Sequence, residues 1–153
     1  MDVDKILAIT LSGVRPGEDT AVLELIAGCN LTIEDLSREK MRHFLLARKG
    51  DRIVGVVGLE IAAHEALLRS LAVHDSFRHQ GIASRLIGAI EGHAADIGVQ
   101  ALYLLTQSAA DFFAKLNYAI TDRTAAPPAI QGMEEFKRLC PDTAVCMFKS
   151  LSS

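Results

Sequence analysis

Leu71-Ala72-Val73-His74-Asp75-Ser76-Phe77-Arg78-His79-Gln80-Gly81-Ile82-Ala83-Ser84-Arg85-Leu86-Ile87 is the stretch on which the fold turns. The residues before it, Glu65–Val73, are apolar enough for a buried strand. Beyond the polar turn, Ala83, Leu86, Ile87, Ile90, Ala94 and Ile97 stand at offsets 0, 3, 4, 7, 11 and 14. Those offsets line one face of a helix, and Gly98 sits where a left-handed cap would end it. The first N–H groups of such a helix lack internal partners and carry part of the positive macrodipole. Gly81 lets an anion approach the backbone closely, and Arg78 and Arg85 outweigh Asp75. The turn therefore reads as a site for phosphate or pyrophosphate. It is neither a G-x-x-x-x-G-K-[ST] loop nor a G-x-G-x-x-G turn. An ordinary helix start is the plainer reading of the same residues.

Outward from this centre the apolar period changes repeatedly, as expected of mixed α and β structure. Ile6–Leu11 reads as a first strand. Val22, Leu25, Ile26 and Cys29 follow at helical spacing, closed by Gly28 and Asn30. Thr32 and Asp35 resemble a capping box opening a short polar helix. His43–Arg48 and Ile53–Ile61 read as strands joined by a Lys49-Gly50-Asp51 turn. Ala62-Ala63-His64 joins the second of these to Glu65–Val73. Leu102–Thr106 reads as a buried strand. Ser108 and Asp111 are placed to cap a helix with Ala109, Phe112, Phe113 and Leu116 on one face and Asn117 at its end. Pro127 and Pro128 introduce a helix through about Leu139, stopped by Pro141, and Thr143–Lys149 reads as the last strand.

Length and composition bound the answer. The chain has 153 residues, half of them hydrophobic and 23% charged. That is one domain at roughly 150 residues per domain, so residues 1–153 are expected to form a single unit. Area scaling gives about 24,000 Å² unfolded and about 7,500 Å² folded, enough burial for a core without staples. The composition excludes a disordered or collagenous chain. A net charge of −3 argues against a nucleic-acid partner. No apolar run is long enough to span a membrane, and the acidic start argues against a secretory signal. Three cysteines, Cys29, Cys140 and Cys146, are too few for a disulfide framework, so a reducing, cytoplasmic setting is expected.

Arg78-x-x-Gly81-x-Ala83, after a strand ending Leu71-Ala72-Val73, resembles the Q/R-x-x-G-x-G/A signature of the GNAT N-acetyltransferases. Ala110-Asp111-Phe112-Phe113-Ala114-Lys115-Leu116-Asn117-Tyr118 looks like that superfamily's second motif, A-x-x-F-Y-x-K-x-G-F/Y. The resemblance covers about residues 3–150. A narrower likeness, in 67–73, 102–106 and 139–147, is to acetyltransferases encoded near arsenic-resistance genes.

The resemblance implies an α/β GNAT fold, a mixed and mostly antiparallel sheet flanked by helices on both faces. Its fourth and fifth strands splay to admit acetyl-CoA. It implies that the backbone of Leu71, Ala72 and Val73 holds the pantetheine, and that Arg78, His79, Gln80, Gly81, Ile82, Ala83 and Ser84 wrap the pyrophosphate. Two residues depart from the pattern. Phe113 stands where a tyrosine often serves as general acid, and Thr106 stands where an asparagine is common. Both remain expected beside the cofactor.

The activity implied is transfer of an acetyl group to the amine of a small molecule, by direct attack and without metal. A non-catalytic acetyl-CoA sensor acting on a partner protein is the alternative, and a homodimer is left open. Glu60 is the candidate general base, or a solvated strand-end glutamate. Arg69, between leucines on a strand, is expected either to grip a substrate carboxylate or to pair with an acid of its own chain. The cysteines are expected to be inert buried thiols, with binding of a soft metal or metalloid as the other reading. The five histidines are scattered, and only His79 is placed to touch phosphate.

Overall fold

A computed structural model describes residues 8–139 and 143–151. Among these residues seven strands occur in the order β1-β2-β3-β4-β5-β7-β6. They are β1 (Ile9–Gly13), β2 (Leu45–Lys49), β3 (Arg52–Ala62), β4 (Glu65–Val73), β5 (Ala101–Thr106), β6 (Ala119–Thr121) and β7 (Val145–Ser150). The flanking helices are α1 (Asp19–Gly28), α2 (Ile82–Asp96), α3 (Ala110–Lys115) and α4 (Pro128–Gln131). β4 and β5 run parallel, while β1–β2, β2–β3, β5–β7 and β6–β7 are antiparallel.

Two compact units are recognisable, one taking in the chain up to Gly58 with Ser70–Ile90, the other Leu59–Arg69 with the chain from Glu91 onward. In the first, α1 buries Val22 and Ile26 against Met41, Phe44, Leu46, Val56 and Ala72. Gly58 is required there, because a Cβ would come within 2.4 Å of the Phe44 ring. The same unit holds the largest of its fully buried side chains, Arg48, on β2. Its Nε donates to Ser12 Oγ at 2.8 Å and its Nη2 to the Gly13 carbonyl at 2.9 Å. The guanidinium also grips Glu18 bidentately, Nη2 reaching Oε1 at 2.7 Å and Nη1 pairing with Oε2. A buried cation is tolerated when each of its nitrogens is matched in this way. The pair ties β1 and the start of α1 to β2.

In the second unit, Leu67, Ala126, Ile130, Phe136 and Cys146 form the core. Glu91 accepts from the Tyr118 hydroxyl at 2.8 Å and from Lys149 Nζ at 3.0 Å. Burial, with the Glu91 carboxylate beside it, pushes the Tyr118 phenol above its ordinary range.

Most expected elements are present, and four expectations need correction. No helix follows Thr32. Asp35 instead takes Lys40 Nζ at 3.3 Å, and Ser37 Oγ receives the Lys40 amide, so a short 3-10 turn forms over Lys40–His43. The helix expected from Pro127 to Leu139 is broken after α4, resuming as a π-helical turn over Glu135–Leu139. Gly132, a poor helix former, lies at the break. Ile97 lies past the end of α2 and is exposed, while Ile82, at the start of the helix, is buried. Neither Ser108 nor Asp111 is the cap of α3: the N-cap position falls on Ala109, whose side chain cannot cap and whose amide donates to Thr106 Oγ1 at 3.0 Å. β6 was not expected, being only three residues long. Cys140 and Pro141, and the beginning of the first expected strand, lie outside the described residues.

Candidate functional site

β4 ends at Val73, and a 3-10 turn over Asp75–Phe77 carries the chain to Arg78. His79 then adopts φ 64° and Gly81 φ 80°. Left-handed conformations are favoured by glycine and tolerated by histidine better than by most residues. Left-handed residues in a turn are one ingredient of the backbone nests that bind anions. α2 follows at once. Its first N–H groups, on Ile82, Ala83 and Ser84, precede the first helical bond, from the Arg85 amide to the Gly81 carbonyl at 3.1 Å. They are available to a ligand for that reason. A side chain placed on Gly81 would meet no atom within 4 Å. Glycine is therefore favoured at this position by its φ of 80° and not by crowding.

Arg78 is held ready beside this loop. Its Nε donates to the Val73 carbonyl at 3.1 Å, its Nη2 lies 3.5 Å from Cys29 Sγ, and Asp75 accepts an ion pair at 3.0 Å. Arg78 and Gln80 are exposed, as are His79, Gly81 and Ser84, whereas Ile82 is buried and Ala83 half-buried. Upstream, Ala72 packs into the core while Leu71 and Val73 are half-buried. Ser70 interrupts this strand with φ 59°, a strained value for a non-glycine residue in a strand. The parallel ladder between β4 and β5 pairs Glu65–Leu67 with Ala101–Tyr103. Leu71–Val73 lie beyond that ladder.

Glu60 and Arg69 are joined to each other. The Arg69 side chain is fully buried, its Nη1 pairs with Glu60, and its Nε lies 3.3 Å from Glu135 Oε2. Glu135, on the π-helical turn, was not singled out by the sequence. Its partnership is long-range, and the pattern of residues 127–139 pointed to an ordinary helix. Thr106 ends β5, with its hydroxyl engaged by Ala109. Phe113 is buried, edge-on to Phe112 and to Tyr118 at centroid distances of 5.1 and 5.4 Å. The nearest phenol to this position is Tyr118, and its hydroxyl already serves Glu91.

Cys29 and Cys146 are free thiols, Cys146 buried with its pKa raised chiefly by that burial. Among the described residues no group of three His, Cys, Asp or Glu side chains converges as metal ligands would. None of the described helices is long and apolar enough to cross a membrane.

Comparison with known proteins bears on what such a loop does. The amino-acid acetyltransferase of Pseudomonas aeruginosa is 29% identical over 126 residues, covering 82% of this chain and 28% of that protein. The chain thus spans under a third of the length of the curated relatives it matches. Among solved structures, N-acetylglutamate synthase from Neisseria gonorrhoeae, complexed with coenzyme A and N-acetyl-glutamate, superposes with a TM-score of 0.83. The match is 17% identical and covers 95% of this chain and 36% of that one. A GNAT-family acetyltransferase from Staphylococcus aureus Mu50 superposes with a TM-score of 0.77 at 17% identity, covering 95% and 100% of the two chains. The model of the acetyltransferase (GNAT) family matches residues 12–118, through β4, the anion loop and α3, and the chain is a member of that family.

Proposed function

We propose that this enzyme transfers the acetyl group of acetyl-CoA to the amine of a small molecule, acting as a single GNAT domain in the reducing cytoplasm. The observation that carries the cofactor assignment is the pair of left-handed residues, His79 and Gly81, set between β4 and a long helix with Arg78 alongside. In this reading Arg78, His79, Gln80, Gly81, Ile82, Ala83 and Ser84 hold the pyrophosphate. The backbone of Leu71, Ala72 and Val73 lies along the pantetheine, and the family motifs assign Thr106 and Phe113 to the cofactor as well. The curated relatives named amino-acid acetyltransferase support an amino acid as acceptor. The narrower likeness to enzymes encoded beside arsenic-resistance genes leaves an amine-bearing toxic compound as the other acceptor class.

Acetyl-CoA supplies an activated acyl group. The chain supplies position, and orienting two reactants accounts for much of the rate in such a transfer. A backbone N–H near Leu71 or Val73 polarises the carbonyl. Glu60 takes a proton from the acceptor ammonium, directly or through water. The neutral amine nitrogen then forms the new C–N bond as the C–S bond breaks, and the second proton it sheds goes to solvent. The thiolate leaves with a pKa near the ~8.5 of ordinary thiols, so Phe113 in place of a tyrosine is compatible with turnover. Arg69 holds Glu60 in position. A substrate carboxylate would have to displace Glu60 or Glu135 to reach it.

Release of CoA thiol, followed across a library of amines that includes the amino acids, tests this reading. Amine-dependent release is expected. Cofactor binding with no turnover on any amine would instead favour a sensor acting on a partner protein. The absence of a hydroxyl at Phe113 is the feature that favours that second reading.

A further inference from the structure

At the end of the β2–β3 hairpin the register sets Lys49 directly opposite Arg52. Like charges facing each other across a strand pair repel. Both cations also share one ring, Lys49 Nζ lying 5.4 Å and Arg52 Cζ 5.2 Å from the centroid of Phe77. Phe77 belongs to the turn that delivers Arg78 to the anion loop. The acids in these two segments are Asp51, in the hairpin turn, and Asp75, which is paired with Arg78.

His74 adds a third donor. Its Nδ1 accepts the Ser76 amide at 3.1 Å, so that nitrogen carries the lone pair. The proton of the ring therefore sits on Nε2. Nε2 meets Arg52 Nη2 at 3.4 Å, and a guanidinium has no acceptor to offer. Two N–H donors face each other, and neither can satisfy the other. An oxyanion accepts from both, and its charge offsets the repulsion between Lys49 and Arg52.

We infer that Lys49, Arg52 and His74 form a phosphate-monoester site that takes the 3′-phosphate at the nucleotide end of CoA. The inference rests on the acetyl-CoA reading above. That phosphate is distinct from the pyrophosphate given to the Arg78–Ser84 loop, and His74 precedes Arg78 by only four residues. One ligand would then span two anion sites built on adjoining backbone. A doubly charged monoester suits a site with two permanent cations and a fixed N–H donor.

Calorimetric titration of the full chain with acetyl-CoA and with acetyl-dephospho-CoA tests the inference. The unsubstituted protein is expected to bind acetyl-CoA on the order of tenfold more tightly, the scale of one charge-assisted hydrogen bond. Lys49→Gln combined with Arg52→Gln should erase that preference and leave the affinity for acetyl-dephospho-CoA unchanged. If circular dichroism shows the double variant misfolded, Arg52→Gln alone carries the comparison, with a partial loss of the preference expected. Equal affinity of the unsubstituted protein for the two compounds overturns this site alone, as does a variant that keeps the preference. Binding of neither compound overturns the acetyl-CoA reading and this site with it.

Discussion

The Arg48–Glu18 pair sets a pH-dependent share of the stability, and Glu18→Gln measures it. In the folded chain the hydrogen bond from Arg48 holds the Glu18 carboxyl near pKa 2, against an ordinary 4.5. That depression is worth about 3 kcal/mol, at ~1.36 kcal/mol for each tenfold change in acidity. The Glu18 side chain retains a fifth of its exposure, so solvent screening brings the expected loss to about 2–3 kcal/mol. A lowered folded pKa means that the contribution is fully present above pH 4.5 and is lost as the pH falls toward 2. Glutamine keeps the shape and the acceptor but not the charge. At pH 7 the variant should melt roughly 5–10 °C lower, given about 2–4 °C per kcal/mol for a chain of this size. Far-ultraviolet circular dichroism melts of both proteins, from pH 7 down to pH 3, provide the measurement. The gap should narrow through the acid range. Superimposable melts at pH 7, or a gap that does not shrink in acid, would refute the reasoning.

Three further expectations concern the site. Gly81→Glu or Ala83→Glu should abolish acetyl-CoA binding by placing a carboxylate in the anion loop, and Arg78→Ala should weaken it by a smaller amount, ~1.5–3 kcal/mol at most; calorimetric affinity that survives Gly81→Glu in a folded protein removes the cofactor assignment. Glu60→Gln should lower kcat/KM mainly below the pKa of the acceptor amine, with recovery as the pH rises, because a deprotonated amine no longer needs a base. A profile that overlays the unsubstituted enzyme from pH 6 to 10 excludes Glu60 from proton transfer. Cys140→Ser and Cys146→Ser should leave acetyl transfer and arsenite binding unchanged, and a stoichiometric arsenite complex lost in either variant would revive the metalloid reading.

The strands and the long helix were legible because their signals are local. Glu65–Val73 is bounded in the structure as its composition suggests, and Asn30, Gly98 and Asn117 each adopt the left-handed conformation that ends a helix. The anion loop was legible for a similar reason, since Gly81 and the helix that follows lie within a few residues of each other. What was hidden depends on partners far along the chain. Glu135 reaches Arg69 across more than sixty positions of sequence, and nothing near Glu135 announces it. Asp35 is hidden for a different reason: its partner Lys40 is only five residues on, and the same short stretch could equally have formed a capped helix. Ile120 in β6 is largely exposed, so that strand is held by its ladder to β7 and carries no burial pattern to read.

The placement of the aromatic residues has a spectroscopic consequence. The chain has no tryptophan and two tyrosines, Tyr103 and Tyr118. Both belong to the unit that includes β5, β6 and β7. Tyrosine emission therefore reports on that unit alone, and Tyr118, bonded to a carboxylate, should brighten when Glu91 is released from it. The unit that carries the anion loop is silent in the same channel. Denaturant melts followed by tyrosine emission and by circular dichroism thus sample different parts of the chain. Coincident curves would mark a single cooperative transition, and separated curves would rank the two units by stability.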